Sequence, residues 1–285
     1  MPRSLGEVSM PSTLRQGSQG EDVKLLQTLL TRHGFKATVD GDFGPGTRRK
    51  VVAFQEAKGL TPDGIVGGGT WGALQAPDGQ ALVLPQPLQG SVGELPAVMA
   101  HLKKLGHPIH EGEWILNLFG IRSPTVEANS FDDILGVAYK AGGEWHVRFW
   151  PGTTDPGTYY LKHPMKVEGT AMLVEGQYDA WKIGTHAGKY EALCQLAGKV
   201  RVYRDADRDN LLEASPASIE EGWFGVNLHR SSMKGESKTV DRWSAGCQVH
   251  ARLDCFEEMM RLAHQQVQKT GQGVFTYTLM KQWWV

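Results

Sequence analysis

The sequence predicts a multidomain protein in which a small all-α module precedes a β-rich domain with peripheral helices. Three observations support this prediction. A turn-and-helix pattern is duplicated within residues 12–75, a proline-containing stretch without periodicity covers 76–94, and short β-type runs separated by turn clusters fill 95–285. The length of 285 residues suits two domains better than one.

The first module shows helical periodicity and an internal repeat. Val23, Leu26 and Leu30 recur at the spacing of one helix face. The segment 40–47, DGDFGPGT, then returns at 63–70 as DGIVGGGT. Each copy combines an Asp-Gly turn, an apolar anchor and a threonine suited to cap a following helix. The residues therefore predict a compact helical module that builds the same helix start twice.

These stretches also carry a family resemblance. The ordered set LRQGSQGEDVKLLQTLL, VDGDFGPGTRRKVVAFQEAKGL and PDGIVGGGTWGAL closely resembles the peptidoglycan-binding domain of many cell-wall enzymes. The resemblance implies a three-helix bundle and the bacterial cell wall as its ligand. Polar groups and an aromatic ring near a helix start suit sugar and peptide recognition. The candidate wall-binding residues are Asp40, Asp42, Phe43, Thr47 and Arg48; the alternative is that the turn residues are structural.

The second region is predicted to be β-rich. Its β-type runs are ILGVAYKA, EWHVRFW, TAMLVEGQY, KVRVYRD and GWFGVNLH. Two helical stretches flank them, LPAVMAHLKKLG near the start and ARLDCFEEMMRLAHQQVQKTG near the end. We therefore expect a largely β domain with helices at its periphery.

One cysteine stands in an unusual setting. The chain has three cysteines, and Cys194, Cys247 and Cys255 form neither a CxxC pair nor a disulfide framework. Cys247 directly follows the small, flexible run Ser-Ala-Gly. His229 lies eighteen residues before Cys247, at the end of an apolar run. A glycine at 246 permits a tight turn whose amides face a developing oxyanion. The alternative is an inert, packed thiol.

The thiolate is the reactive form of cysteine, so a nucleophilic role requires a base nearby. We expect His229 and aimed amides to lower the pKa of Cys247. A fall from about 8.5 to about 6.5 corresponds to roughly 2.7 kcal/mol of thiolate stabilisation.

The spacing His-x17-Cys with Ser-x-Gly-Cys resembles the active-site signature of the L,D-transpeptidase catalytic domain. The family cleaves or joins peptidoglycan stem peptides through an acyl-enzyme. The resemblance implies that Cys247 is the nucleophile and His229 the general base, with Gly246 and Cys247 supplying oxyanion amides. Ser244 matches the family's Ser/Thr position.

Two positions depart from the family pattern. Ala245 replaces the usual histidine, and Val249 replaces a polar residue, which puts the usual handling of the acyl acceptor in doubt. His186, in KIGTHAGKYEAL, is a further candidate that contacts substrate, orients the site or caps a turn.

An acidic segment resembles the start of an EF-hand calcium loop. Asp205, Asp207 and Asp209 alternate along RDADRDNLLE, with Glu213 following. The twelfth position is Pro216 instead of glutamate, so the pattern is incomplete. A partial metal site and a solvated turn are the alternatives, and we otherwise expect no cofactor.

The composition limits the partners. A net charge of −1 gives no reason to expect nucleic acid, and no apolar run suits a membrane span. The first twenty residues lack the apolar core of a secretory signal. We expect a monomer whose partner is bacterial peptidoglycan.

The preferred hypothesis is a bacteriophage endolysin that cuts peptidoglycan stem-peptide or cross-link amides with a cysteine nucleophile, transpeptidation remaining an alternative outcome. It would stay in the host cytoplasm until lysis and then reach the periplasm and wall. One alternative is a zinc-dependent peptidase or amidase using His186, His229 and a third ligand, although HExxH spacing is missing. Another is a non-catalytic wall-binding phage structural protein.

Overall fold

A computed structural model of the chain describes residues 13–33, 35–57, 61–75, 84–126, 128–233 and 235–284. The chain divides into two compact units, Met1–Gly79 and Gln80–Val285. Within the described parts, no helix combines the length and apolar character needed to span a bilayer.

The first unit contains three helices, α1 (Glu21–Arg32), α2 (Pro45–Ala57) and α3 (Gly68–Gln75). Their apolar faces meet in one core that includes Leu26, Leu30, Phe54 and Trp71. The predicted helical character of this region is therefore confirmed.

The two repeat segments are held by two equivalent glutamines. Gln27 on α1 donates to Asp40 Oδ1 at 2.6 Å and accepts from the Gly41 N–H at 2.9 Å. Gln55 on α2 makes the same pair of bonds with Asp63 and Gly64, at 3.0 and 2.9 Å. Each glutamine also donates to the helix-start threonine of its repeat, Thr47 or Thr70. Both glutamine side chains are buried, so they supply the polar contacts that the turn backbone needs away from water.

The second unit is β-rich, as predicted. Its helices are α4 (Ala97–Lys104), α5 (Thr158–Lys162) and α6 (Leu253–Thr270). Its strands are β1 (Ser91–Val92), β2 (Leu95–Pro96), β3 (Asn117–Arg122), β4 (Asp133–Ala141), β5 (Glu144–Thr153), β6 (Thr170–Leu173), β7 (Gly176–His186), β8 (Tyr190–Gln195), β9 (Val200–Asp205), β10 (Glu220–Gly222), β11 (Leu228–Arg230), β12 (Gln248–His250) and β13 (Phe275–Lys281). Short 3₁₀ turns cover Gln86–Leu88 and Pro216–Ser218.

Eight strands close into a barrel in the order β11-β12-β5-β4-β3-β13-β7-β8, and β10, β9 and β6 form a separate sheet. Side chains fill a barrel of this size, and Trp181, Leu193 and Tyr277 belong to its main core. Helix α6 contributes Phe256 and Met259 to the same core. Helix α4 packs through other apolar side chains on β3 and β4.

The predicted elements match in part. Both helical stretches form α4 and α6, and ILGVAYKA and EWHVRFW form β4 and β5. In the run GWFGVNLH, residues 223–227 lie outside any strand, whereas Gly222 ends β10 and Leu228 begins β11. In the predicted linker, residues 76–83 lie outside the described residues, and Leu88 is buried against Val98 and Leu102. Leu88 therefore belongs to the core of the second unit.

Candidate active site

The site is built on two parallel neighbouring strands. In β11 and β12, Leu228 pairs with Gln248 and His229 with Val249. Cys247 directly precedes β12, and the Gln248 N–H donates to the Asn227 carbonyl at 2.9 Å. Cys247 therefore lies at the start of one strand, beside the strand that carries His229.

Cys247 is a partly exposed residue, and its thiol has two backbone partners. The Asn227 N–H donates to Cys247 Sγ at 3.4 Å, and the thiol donates to the Gly225 carbonyl at 3.5 Å. Over the described residues, no hydrogen bond joins this sulfur to His229. The two side chains are therefore not in direct hydrogen-bond contact in the resting protein.

The turn before Cys247 is closed by Ser244. Its hydroxyl donates to the Cys247 carbonyl at 2.9 Å and accepts from the Gly246 N–H at 3.1 Å. Gly246 has φ +115°, and a Cβ there would collide with the Ala171 carbonyl. The Gly246 amide is therefore engaged, contrary to its expected oxyanion role. The Cys247 N–H has no acceptor among the described residues, so it is the amide left to stabilise an oxyanion.

His229 is buried, and its tautomer follows from its contacts. Nδ1 lies 2.8 Å from the Arg230 carbonyl, which only accepts, so Nδ1 carries the proton. The hydroxyl of Tyr190 lies 3.4 Å from the same nitrogen. Nε2 is thereby left with a free lone pair, as a general base requires.

The structure brings His186 into the same cluster. Its ring stacks on that of His229 with centroids 4.1 Å apart. The Asn227 Oδ1 accepts from the Gln195 N–H at 2.9 Å, which directs its amide nitrogen to His186 Nδ1 at 3.0 Å. Asn227 thus fixes His186 with its side chain and touches Cys247 with its main chain.

Burial favours the neutral forms of the Cys247 thiol and the His229 imidazole. Burial raises the pKa of Cys247 to about 11, and the Asn227 N–H opposes this only in part. Burial, with His186 next, lowers the pKa of His229 to about 3. Burial, with Arg230 and Lys189, also lowers the pKa of His186. The expected lowering of the Cys247 pKa is therefore wrong, because desolvation outweighs the donors around the sulfur.

Sequence reasoning missed Asn227 and Tyr190. Asn227 stands two positions before His229, so the period of a strand places both on one face. That period was the available signal for Asn227. Tyr190 joins the cluster through the β7–β8 hairpin, where it pairs with His186, and no local pattern marks that pairing.

The candidate wall-binding residues separate into two groups. Asp40, Asp42 and Thr47 line a depression of about 280 Å³ together with Lys36 and Lys50. The Asp42 N–H and Gln27 lower the pKa of Asp40, which thus also holds its own turn.

Two of the candidates do not line that depression. Phe43 is fully buried in the helical core, so its expected contact with a ligand is wrong. Arg48 donates to the Asp63 carbonyl at 3.2 Å, in the second repeat.

The acidic segment folds back on itself. Asp207 accepts from the Asp209 N–H at 3.1 Å, and Asp209 accepts from the Leu211 N–H at 2.6 Å. Asp205 is buried and accepts from the Glu213 N–H, and burial raises its pKa to about 6. Across the described ranges, no three His, Cys, Asp or Glu side chains form a group suited to a metal ion. The calcium candidate and the zinc alternative both lack a gathered ligand set there.

Comparison with known proteins gives a family for the first unit. Residues 19–74 match the family described as "Putative peptidoglycan binding domain". The chain is 42% identical over 65 residues to the zinc D-Ala-D-Ala carboxypeptidase of Streptomyces albus G, covering 22% of this chain and 26% of that protein. It thus spans about a quarter of that relative.

Two solved structures are also similar. A Burkholderia AP3 phage endolysin is 45% identical, over 22% of this chain and 25% of that one, with a TM-score of 0.22. The L,D-transpeptidase of Xylanimonas cellulosilytica (residues 123–326) is 18% identical over 96% of this chain and 100% of that one, with a TM-score of 0.23. At these TM-scores neither superposition assigns the fold of the second unit.

Proposed function

We propose that the protein is a peptidoglycan hydrolase that cleaves a stem-peptide or cross-link amide through an acyl-enzyme on Cys247. The observation that carries the proposal is the pairing of β11 with β12. This pairing places Cys247, a partly exposed residue that follows the turn at Gly246, beside the strand that carries His229. His229 is buried, and its Nδ1 carries the proton. The match of residues 19–74 to a peptidoglycan-binding family supports the wall as the substrate.

In the resting protein Cys247 and His229 are both neutral, so the thiol must lose its proton during the attack. As Cys247 Sγ attacks the scissile carbonyl, His229 Nε2 takes the thiol proton, and the Cys247 N–H donates to the oxyanion. Collapse of the tetrahedral species breaks the C–N bond, and His229 returns the proton to the leaving amine. Water then attacks the thioester, His229 accepts its proton, and the thiol is regenerated with release of the acid.

The proposal makes the second unit a divergent L,D-transpeptidase-like domain. Ser244, Gly246 and Cys247 follow the family's order, and Ser244 closes the turn. Position 249, where the resemblance implies a polar residue near the acyl acceptor, carries a fully buried valine in this chain. This departure favours water over an amine as the acceptor.

The proposal also includes a location and an assembly state. We place the protein in the host cytoplasm until lysis and at the wall thereafter, as a monomer, in the manner of a phage endolysin. A tethering unit raises the local concentration of wall peptides around the catalytic unit, which supports this arrangement.

Digestion of purified wall by the full-length protein, with products resolved by mass spectrometry, tests the function. Cys247→Ala and His229→Gln should each lower the rate at least about a thousandfold, since each removes a covalent-catalysis partner. Asp207→Asn, on the acidic loop, serves as the matched control and should retain full activity. Activity that survives Cys247→Ala but disappears with a chelator would favour the zinc alternative. The absence of any products from the wild type would favour wall binding alone.

A further inference from the structure

A groove of about 140 Å³ adjoins the turn that carries Cys247. Ala245 and Ala171 line it, and a Cβ added at Gly246 would collide with the Ala171 carbonyl. Phe224, which also lines the groove, directly precedes Gly225, whose carbonyl accepts from Cys247 Sγ. A substrate residue next to the scissile amide would therefore enter this groove.

The walls of the groove carry positive charge. Lys166 and Arg204 line it, and none of its lining residues is acidic. Arg204 is already compensated, since its Nε lies 2.9 Å from Glu220 Oε2 and its NH1 donates to the Gly169 carbonyl. Lys166 is exposed and has no carboxylate partner in the part of the chain that the structure describes. The uncompensated charge of the groove is therefore the ammonium of Lys166.

The groove also has an aromatic side and a defined size. Trp223 is 57% exposed and lines it together with Phe224. A cavity of about 150 Å³ holds a benzene-sized group in another protein, so this space fits one side chain and not a whole peptide. A ligand side chain whose methylene groups pack on the aromatic rings, and whose anionic end reaches the Lys166 ammonium, would complement both surfaces of the groove.

Building on the proposed function, we infer that the groove selects an anionic stem peptide. It takes the side chain on the acyl side of the scissile amide, with the aliphatic part against Trp223 and Phe224. The free carboxylate of that side chain pairs with Lys166 Nζ. The substrate class is thus a peptide that carries a free carboxylate, in contrast to one amidated at that position.

Titration calorimetry on full-length Cys247→Ala tests this inference with two synthetic stem peptides that differ only in a carboxylate or a primary amide. The carboxylate peptide should bind about three- to fivefold more tightly, the strength of an exposed ion pair. Adding Lys166→Met should remove this preference. Adding Lys199→Met, an equally exposed lysine that does not line the groove, should leave it intact.

Three results would overturn the inference: equal affinity for both peptides, a preference that survives Lys166→Met, or no binding of either peptide. None of these results depends on turnover, because the protein used lacks the nucleophile. Failure of the proposed function would instead appear as wall digestion that is absent or independent of Cys247.

Discussion

Cys247 lies in surroundings that favour the thiol over the thiolate. Among the described residues, one backbone N–H donates to the sulfur, and burial raises the pKa of the thiol to about 11. The pKa of His229 is lowered to about 3, so its imidazole is neutral at the pH values at which the thiol is protonated. The resting site therefore holds a neutral thiol and a neutral imidazole, and not a thiolate–imidazolium pair.

Alkylation of Cys247 by iodoacetamide should report this neutral state. The rate should rise about tenfold per pH unit between about pH 7 and 10, because the thiolate fraction grows tenfold per unit below the thiol pKa. Cys247→Ala provides the background from Cys194 and Cys255, both buried. A plateau already reached near pH 7 would show that the sulfur is ionised at rest.

Position 246 requires glycine, because its backbone has a positive φ and its surroundings leave no room for a Cβ. Gly246→Ala should lower wall digestion at least about a hundredfold, since the new Cβ meets the Ala171 carbonyl and φ is +115°. Gly142→Ala is the control, because Gly142 also has positive φ but open space around it. Equal activity of the two variants would mean that the turn before Cys247 does not need its observed shape.

At the scale of elements, the two turn repeats depend on Gln27 and Gln55. Each glutamine satisfies both an aspartate side chain and the following glycine N–H from within a helix. Helix α1 thus orients the first Asp-Gly turn, which precedes α2. Helix α2 orients the second Asp-Gly turn, which precedes α3.

Gln27→Leu and Gln55→Leu should each lower the free energy of unfolding of the first unit by about 2–4 kcal/mol, because several buried polar groups lose their partner. Hydrogen exchange of α1 and α2 in the full-length protein measures the effect. Gln16→Leu, at an exposed position, should change protection by less than about 0.5 kcal/mol. If the Gln27→Leu and Gln55→Leu variants keep the same hydrogen-exchange protection as Gln16→Leu, the two glutamines do not stabilise the turns as assigned.

At the scale of the whole molecule, the two units are expected to divide tethering from catalysis. The double variant Gln27→Leu, Gln55→Leu should sediment less with insoluble wall and digest it more slowly, because tethering raises the local substrate concentration. It should cleave soluble stem peptides at the wild-type rate. Cys247→Ala should show the reverse pattern, with wall binding within about twofold of wild type and no cleavage. Parallel loss of both properties in either variant would contradict this division.

The sequence by itself determined the elements that local chemistry specifies. Helical periodicity and the Asp-Gly repeat predicted the helical module, and short β-type runs between turn clusters predicted β4 and β5. The Ser-Ala-Gly run before Cys247, with a histidine eighteen residues earlier, singled out Cys247 and His229. Each of these signals lies within a short stretch, where spacing and residue type alone limit what the backbone can do.

Only the tertiary structure decided what depends on distant segments. The barrel order, the stacking of His186 on His229 and the burial of Phe43 arise from pairing between strands and helices far apart in the chain. The same packing removes water from Cys247 and His229, which reverses the expected direction of the thiol pKa. Desolvation depends on everything that surrounds a group, and no local pattern of residues encodes it.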